Sequence, residues 1–224
     1  MDYRHEVKHR ICMADYVVLR NRLKYLIELD PHSNEEGFYM VRSLYFDNPQ
    51  DKALREKIDG VDEREKFRIR CYNVDKKSVY LEKKSKRKGL NKKVSFRLTY
   101  HEAQAFIHRD MPRIRQIEHP LAIELYCKMQ SEQLRPRTIV QYRREAYNYF
   151  PGNVRVTFDT DLRTGLFYTD LFDLSIPLIT PMEPVALLEV KYDEFIPDNI
   201  VRLLQIKGRF SSSFSKYAAC RVFG

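Results

Sequence analysis

The stretch REKFRIR, residues 64–70, interleaves cationic and apolar side chains. In a β-strand successive side chains point to opposite faces. Arg64, Lys66, Arg68 and Arg70 then share one face, and Glu65, Phe67, Ile69 and Cys71 the other. Arg offers a planar fork that fits phosphate oxygens, and Lys a mobile point charge. Facing out, such a row is a solvated surface; facing in, it needs an anion to hold it together.

The pattern recurs along the chain. YRHEVKHRI (3–11) sets Arg4, Glu6, Lys8 and Arg10 against Tyr3, His5, Val7, His9 and Ile11. VYLEKKSK (79–86) places Tyr80, Glu82 and Lys84 on one face. NKKVSFRLT (91–99) sets Lys93, Ser95 and Arg97 opposite Val94, Phe96 and Leu98. VALLEVKYD (185–193) carries Glu189 and Lys191 on one face. If all these polar faces pointed out, like charges would lie beside one another across neighbouring strands, which is unfavourable. A sheet closed into a barrel avoids this, with apolar faces packed outward on helices and charged faces lining a tunnel. Inward carboxylates suit hard divalent cations, and carboxylate, metal and phosphate together are the ingredients of phosphoryl transfer.

The elements that would position these residues read as follows. Helical spacing runs from Ala14 to Leu29, a strand over 40–48 and a short helix over 50–58. The 79–86 and 91–99 segments form a hairpin across KRKG. Helices over 101–109 and 119–129 bracket a basic connector. A second hairpin, 137–150 with 154–165, turns at PGN, and a helix covers 196–208 before a Ser-rich tail. No repeat or low-complexity linker interrupts the chain, so a single domain over 1–224 is expected.

Composition narrows the function classes. Of 224 residues, 43% are hydrophobic and 32% charged, with a formal net charge of +9. That balance favours an anionic partner and a folded chain. The four cysteines stand singly, as in a reducing cytosol rather than a disulfide framework. No apolar run approaches the ~20 residues of a membrane span. There is no Walker loop or GxGxxG. Nucleic acid is not an expected partner, because no known binding module appears.

The ordered series EVK (6–8), KIDGV (57–61), RIR (68–70), LEKK (81–84), RREAY (143–147), VRVTFDT (154–160), LEVK (188–191) and SKY (215–217) resembles the VTC domain. That is the polyphosphate polymerase domain of the vacuolar transporter chaperone complex, one of the triphosphate tunnel metalloenzymes, which include the CYTH proteins. The resemblance implies an α+β fold: a closed, mostly antiparallel β-barrel of about eight strands with a charged interior, flanked by amphipathic helices. It implies that Lys8, Lys57, Arg68, Arg70, Lys84, Arg144, Arg155 and Lys216 hold the phosphate chain, with Lys93 and Arg97 on a face that family members use for basic residues. Glu189 matches the carboxylate that carries Mn²⁺ or Mg²⁺, and Glu6 and Glu82 follow as further metal-side or charge-balancing groups. Lys8, Arg68, Arg70, Arg144, Arg155 and Glu189 form the implied catalytic set. An ion pair with Lys191 or a tunnel arginine is the bland alternative for Glu189.

Two positions depart from the pattern. The superfamily opens with ExExK, and this chain has RHEVK, with Arg4 at the first glutamate; Ser95 stands where a second Lys is frequent. The expected activity is polyphosphate synthesis from ATP. Hydrolysis of tripolyphosphate or a nucleoside triphosphate, and non-catalytic binding of polyphosphate or inositol phosphates, are the alternatives. The resemblance suits a cytoplasmic protein, with membrane association through a partner protein, and leaves the oligomeric state open.

Overall fold

The computed structural model describes residues 5–88, 90–206 and 214–222. Arg4, Gly89 of the KRKG loop and most of the Ser-rich tail lie outside the described residues. In chain order the elements are β1 (His5–Ile11), α1 (Met13–Lys24), β2 (Glu28–Leu29), β3 (Tyr39–Asp47), α2 (Lys52–Ile58), β4 (Arg64–Tyr72), β5 (Val79–Arg87) and β6 (Leu90–Leu98). There follow α3 (Tyr100–His108), α4 (Met111–Ile114), α5 (Pro120–Ser131), β7 (Arg135–Tyr149), β8 (Val154–Thr164), β9 (Ala186–Tyr192), α6 (Asp198–Leu204) and α7 (Lys216–Val222). Among the described residues no helix is long and apolar enough to cross a membrane.

The α+β expectation holds, but closure of the sheet does not. The hydrogen-bonded order is β1-β9-β8-β7-β3-β4-β5-β6, with β2 added to β7. The path has two ends, β1 and β6, and no pairing joins them among the described residues. The expected closed barrel is therefore an open antiparallel sheet. Both end strands carry charge: Lys8 and Arg10 on β1, and Lys92, Lys93 and Arg97 on β6. Charged edge strands resist further pairing.

The chain divides into two compact units, each with its own core. The first comprises residues 1–40, 142–162 and 182–214. Its apolar strand faces, with Val154, Val156 and Phe158 of β8 and Leu188 and Val190 of β9, pack on Tyr16, Leu19 and Leu23 of α1 and Ile200 of α6. Gly152 makes the turn before β8 with φ +71°, and a side chain there would run into the Phe195 carbonyl. The second unit comprises residues 41–141, 163–181 and 215–224. Phe67, Ile69 and Cys71 of β4 and Val79 and Leu81 of β5 pack on Phe106 of α3 and Leu121, Leu125 and Met129 of α5. A capping box, Thr99 with Glu102, starts α3. In both units the apolar strand faces are covered by helices, as the alternation predicts.

Four helices differ from expectation. α6 spans Asp198–Leu204 rather than 196–208, because the backbone turns extended at Gln205. α1 stops at Lys24 rather than Leu29, because the Leu26 and Ile27 amides both turn back to the Leu23 carbonyl and return Ile27 to the core. The basic connector contains α4, which Asp110 caps by accepting from the Arg113 amide. The end of the tail forms α7, whose Tyr217 and Cys220 are buried.

Candidate functional site

In the second unit β3, β4, β5 and β6 bring one charged face together. The register sets Tyr45 against Arg68 and Ser43 against Arg70, and then Arg68 against Glu82 and Glu82 against Ser95. Glu82, 3% exposed, is the centre. Arg68 reaches it through Nε at 2.8 Å and Nη2 at 2.6 Å, Arg70 Nη1 lies at 3.7 Å, and Lys93 Nζ at 3.0 Å. Burial would raise the Glu82 carboxyl; Arg68, Arg70 and Lys93 outweigh it and hold the group well below the usual carboxylate range. Arg70 also donates from Nε to Ser43 Oγ at 3.1 Å. Ser95 stands opposite Glu82 in the register, and Lys93, two residues along, supplies the cation.

The remaining expected residues of this unit lie around that centre or at its margins. Lys84 falls in register between Lys66 and Lys93. Lys57 sits in the last turn of α2 and Lys216 opens α7. α7 is held by Tyr217, which donates to Asp47 Oδ2 at 2.5 Å and stacks on Tyr45 at 4.9 Å, and by Arg221 on Asp51 at 2.8 Å. Arg97 points instead to the Lys77 carbonyl, at 2.9 Å.

In the first unit the β1–β9 register pairs Lys8 with Glu189 and Glu6 with Lys191. The four side chains alternate in charge: Lys8 Nζ is 2.7 Å from Glu6 and 3.6 Å from Glu189, and Lys191 Nζ is 2.8 Å from Glu189 and 3.9 Å from Glu6. Arg155 of β8 is bound by Asp30 at 2.6 Å and reaches Tyr39 Oη at 3.1 Å. Arg144 of β7 is clasped by Asp159, Nε to Oδ1 at 2.6 Å and Nη2 to Oδ2 at 2.8 Å. Burial would weaken the Arg144 charge, but Asp159 holds its pKa well above the ordinary value.

Among the described residues the donor chemistry allows a divalent cation at Glu6 and Glu189. Glu6 and Glu189 sit on neighbouring strands and both reach Lys8. Mg²⁺ and Mn²⁺ take oxygen ligands, and Mg²⁺ keeps several waters while using one or two carboxylates plus substrate phosphates. Among the described residues no three His, Cys, Asp or Glu side chains gather as a protein cage. The Glu6–Glu189 pair fits the open kind of site. Glu82, ringed by three cations, has the setting of a charge-balancing group.

The family model of the VTC domain matches residues 3–223. The chain belongs to this family. The VTC fold is a triphosphate-binding fold of CYTH-like type, and membership implies phosphoryl chemistry on triphosphates in a family that is generally metal-dependent. Among solved structures, similarity extends to a putative adenylate cyclase from Bacillus halodurans at 12% identity and a TM-score of 0.47, covering 85% of this chain and 80% of the other. It extends also to a protein from Pyrococcus horikoshii OT3, at 14% identity and TM-score 0.41 over 89% and 84% of the two chains. A conserved hypothetical protein from Pyrococcus furiosus matches at 14% identity and TM-score 0.42, over 90% and 85%. Among curated proteins none matches the chain.

The VTC motifs led to the cations and missed their partners. Asp159, Asp30, Tyr39 and Tyr45 each touch an expected cation. Asp159 was legible as the residue two and four places along from Thr157 and Arg155, on one strand face. Asp30 was not, because it lies in the loop after β2 and meets Arg155 only through folding.

Proposed function

We propose that this VTC-family chain is a polyphosphate polymerase: it transfers the terminal phosphoryl group of ATP to a growing inorganic polyphosphate, with Mn²⁺ or Mg²⁺. The observation that carries this reading is the convergence of Arg68, Arg70 and Lys93 on one buried carboxylate. Such an array is preorganised to stabilise the charge spread over transferred phosphoryl oxygens, and phosphoryl transfer asks for little more than positioning and electrostatics.

In this reading Arg68 and Arg70 neutralise the phosphoryl oxygens, and Lys57, Lys84, Lys93, Arg97 and Lys216 track the chain. Lys8, Arg144 and Arg155 are the phosphate-holding cations of the first unit. Glu189, with Glu6, holds the metal, which when bound polarises phosphate oxygens. Glu82 holds Arg68 and Arg70 in place. Arg144 and Arg155 are already engaged by carboxylates, so they contribute as fixed charges. The family match runs through both units, which supports one working domain. A cytoplasmic location with a membrane partner receiving product belongs to the same proposal.

The test is incubation of the purified protein with γ-labelled ATP and Mn²⁺, resolved by chain length. Labelled polyphosphate that disappears in Glu189→Gln supports the polymerase. Labelled orthophosphate without chain growth replaces it with a hydrolase. Binding without turnover replaces it with a phosphate sensor.

A further inference from the structure

Tyr45 is absent from every motif used above, yet it stands inside the cationic face. β3 sets it directly across from Arg68, whose Nη1 donates to Tyr45 Oη at 2.8 Å. The same guanidinium spends Nε and Nη2 on Glu82, so Arg68 is held between a carboxylate and a phenol. The Tyr45 side chain is 4% exposed. Lys66 Nζ lies 5.8 Å and the Arg68 guanidinium carbon 5.7 Å from its ring centre. The groups that face it are Arg68, Lys66 and Arg70 from β4 and Tyr217 from α7, and the Tyr217 hydroxyl is taken by Asp47 of β3.

We propose that Tyr45 is a proton-exchanging counter-group of the phosphate site: its oxygen carries the negative charge opposite Arg68 in the free protein and takes up a proton when a phosphate chain arrives. The inference rests on the phosphate-binding reading of this face. A buried phenol ordinarily becomes a weaker acid. Here burial does push Tyr45 up, but Arg68, Lys66 and Arg70 pull it down further, from 10.0 to about 7. An incoming polyanion cancels that positive field, so the phenolate loses its stabilisation and binds a proton from solvent. Tyr45 thereby frees Arg68 Nη1 for phosphate without adding a third anion to a guanidinium that Glu82 already holds. It is a positioning residue, acting through Arg68.

Below the free-state value the phenol is already protonated, and binding takes up nothing. Above it, binding is linked to uptake of one proton, so affinity falls as pH rises, approaching tenfold per pH unit.

The experiment is a near-ultraviolet titration of the full chain, read at the tyrosinate band, with and without tripolyphosphate, beside calorimetry in buffers of different ionisation heat. Tyr45→Phe is the control, since it keeps the ring stacked on Tyr217. We expect one tyrosinate to appear near neutral pH in the free protein, to vanish on adding tripolyphosphate and to be missing in Tyr45→Phe. Calorimetry near pH 8 should show uptake of about 0.9 proton per bound chain, absent in the variant. Binding without proton uptake, or a free protein with no tyrosinate near neutral pH, overturns the Tyr45 assignment alone. Failure of tripolyphosphate to bind overturns the phosphate reading together with the uptake.

Discussion

Arg144 and Asp159 form a two-pronged ion pair, with Nε–Oδ1 at 2.6 Å and Nη2–Oδ2 at 2.8 Å. The Asp159 side chain is 1% exposed, so the pair is sheltered from water. Breaking a buried pair from one side strands a charge, at about 3–5 kcal/mol. Asp159→Ala should therefore lower unfolding stability in urea by that amount, and Arg144→Ala should lower it in the same direction. The double variant should lose much less than the sum of the two, because neither charge is then stranded. Additive losses would show that the pair is not coupled.

Glu82 allows a pH prediction. Its pKa in the folded protein is depressed from an ordinary 4.5 by Arg68, Arg70 and Lys93, against the opposing effect of burial. A depressed carboxyl contributes stability that is complete above the unfolded-chain value and is lost as pH falls toward the folded one. Wild-type stability should decline below about pH 4.5 more steeply than that of Glu82→Gln, measured by urea unfolding across that range. The same variant separates two roles. Glu82→Gln should retain its metal dependence of turnover, whereas Glu189→Gln should lose turnover.

Arg70 and Glu82 predict a clean loss of function. Arg70→Ala leaves Glu82 compensated by Arg68 and Lys93, so the carboxylate is not stranded. Turnover of ATP should fall by about 10²–10³, the scale for removing one preorganised donor. Circular dichroism should be unchanged. Full activity in this variant would move the reaction away from the β4 cations.

Asp47 joins α2 to α7. Its Oδ1 accepts from the Asn48 and Ala53 amides and its Oδ2 from the Leu54 amide and Tyr217 hydroxyl. Tyr217→Phe removes one of these bonds and should lower stability by about 1–2 kcal/mol. Asp47→Ala also leaves the Ala53 and Leu54 amides of α2 without their acceptor and should cost more than Tyr217→Phe in thermal unfolding. Equal losses would mean that the α2 amides do not depend on Asp47.

Much of this was legible from alternation alone. Residues 64–70 and 79–86 showed which side chains share a face, because a strand has a period of two whatever it packs against. The apolar halves of those segments duly face helices. The basic positions were legible because each sits in a short motif of fixed spacing. Helix ends were less so: α1 ends where two amides fold back on Leu23, and α7 is a seven-residue helix with little pattern to announce it.

Local order, in short, is what the sequence by itself determined: strand faces, the positions of the cations and the carboxylates beside them on the same strand. Strand order, and with it the partners, was decided only by tertiary structure. Arg68 meets Tyr45 from 23 residues away, and Arg155 meets a residue well before it in the chain, Asp30. Alternation is a local property of the backbone, and it carries no record of which strand will lie alongside. The ends of the sheet were decided in the same way, since nothing in the alternation of β1 or β6 says which strand is left with one neighbour.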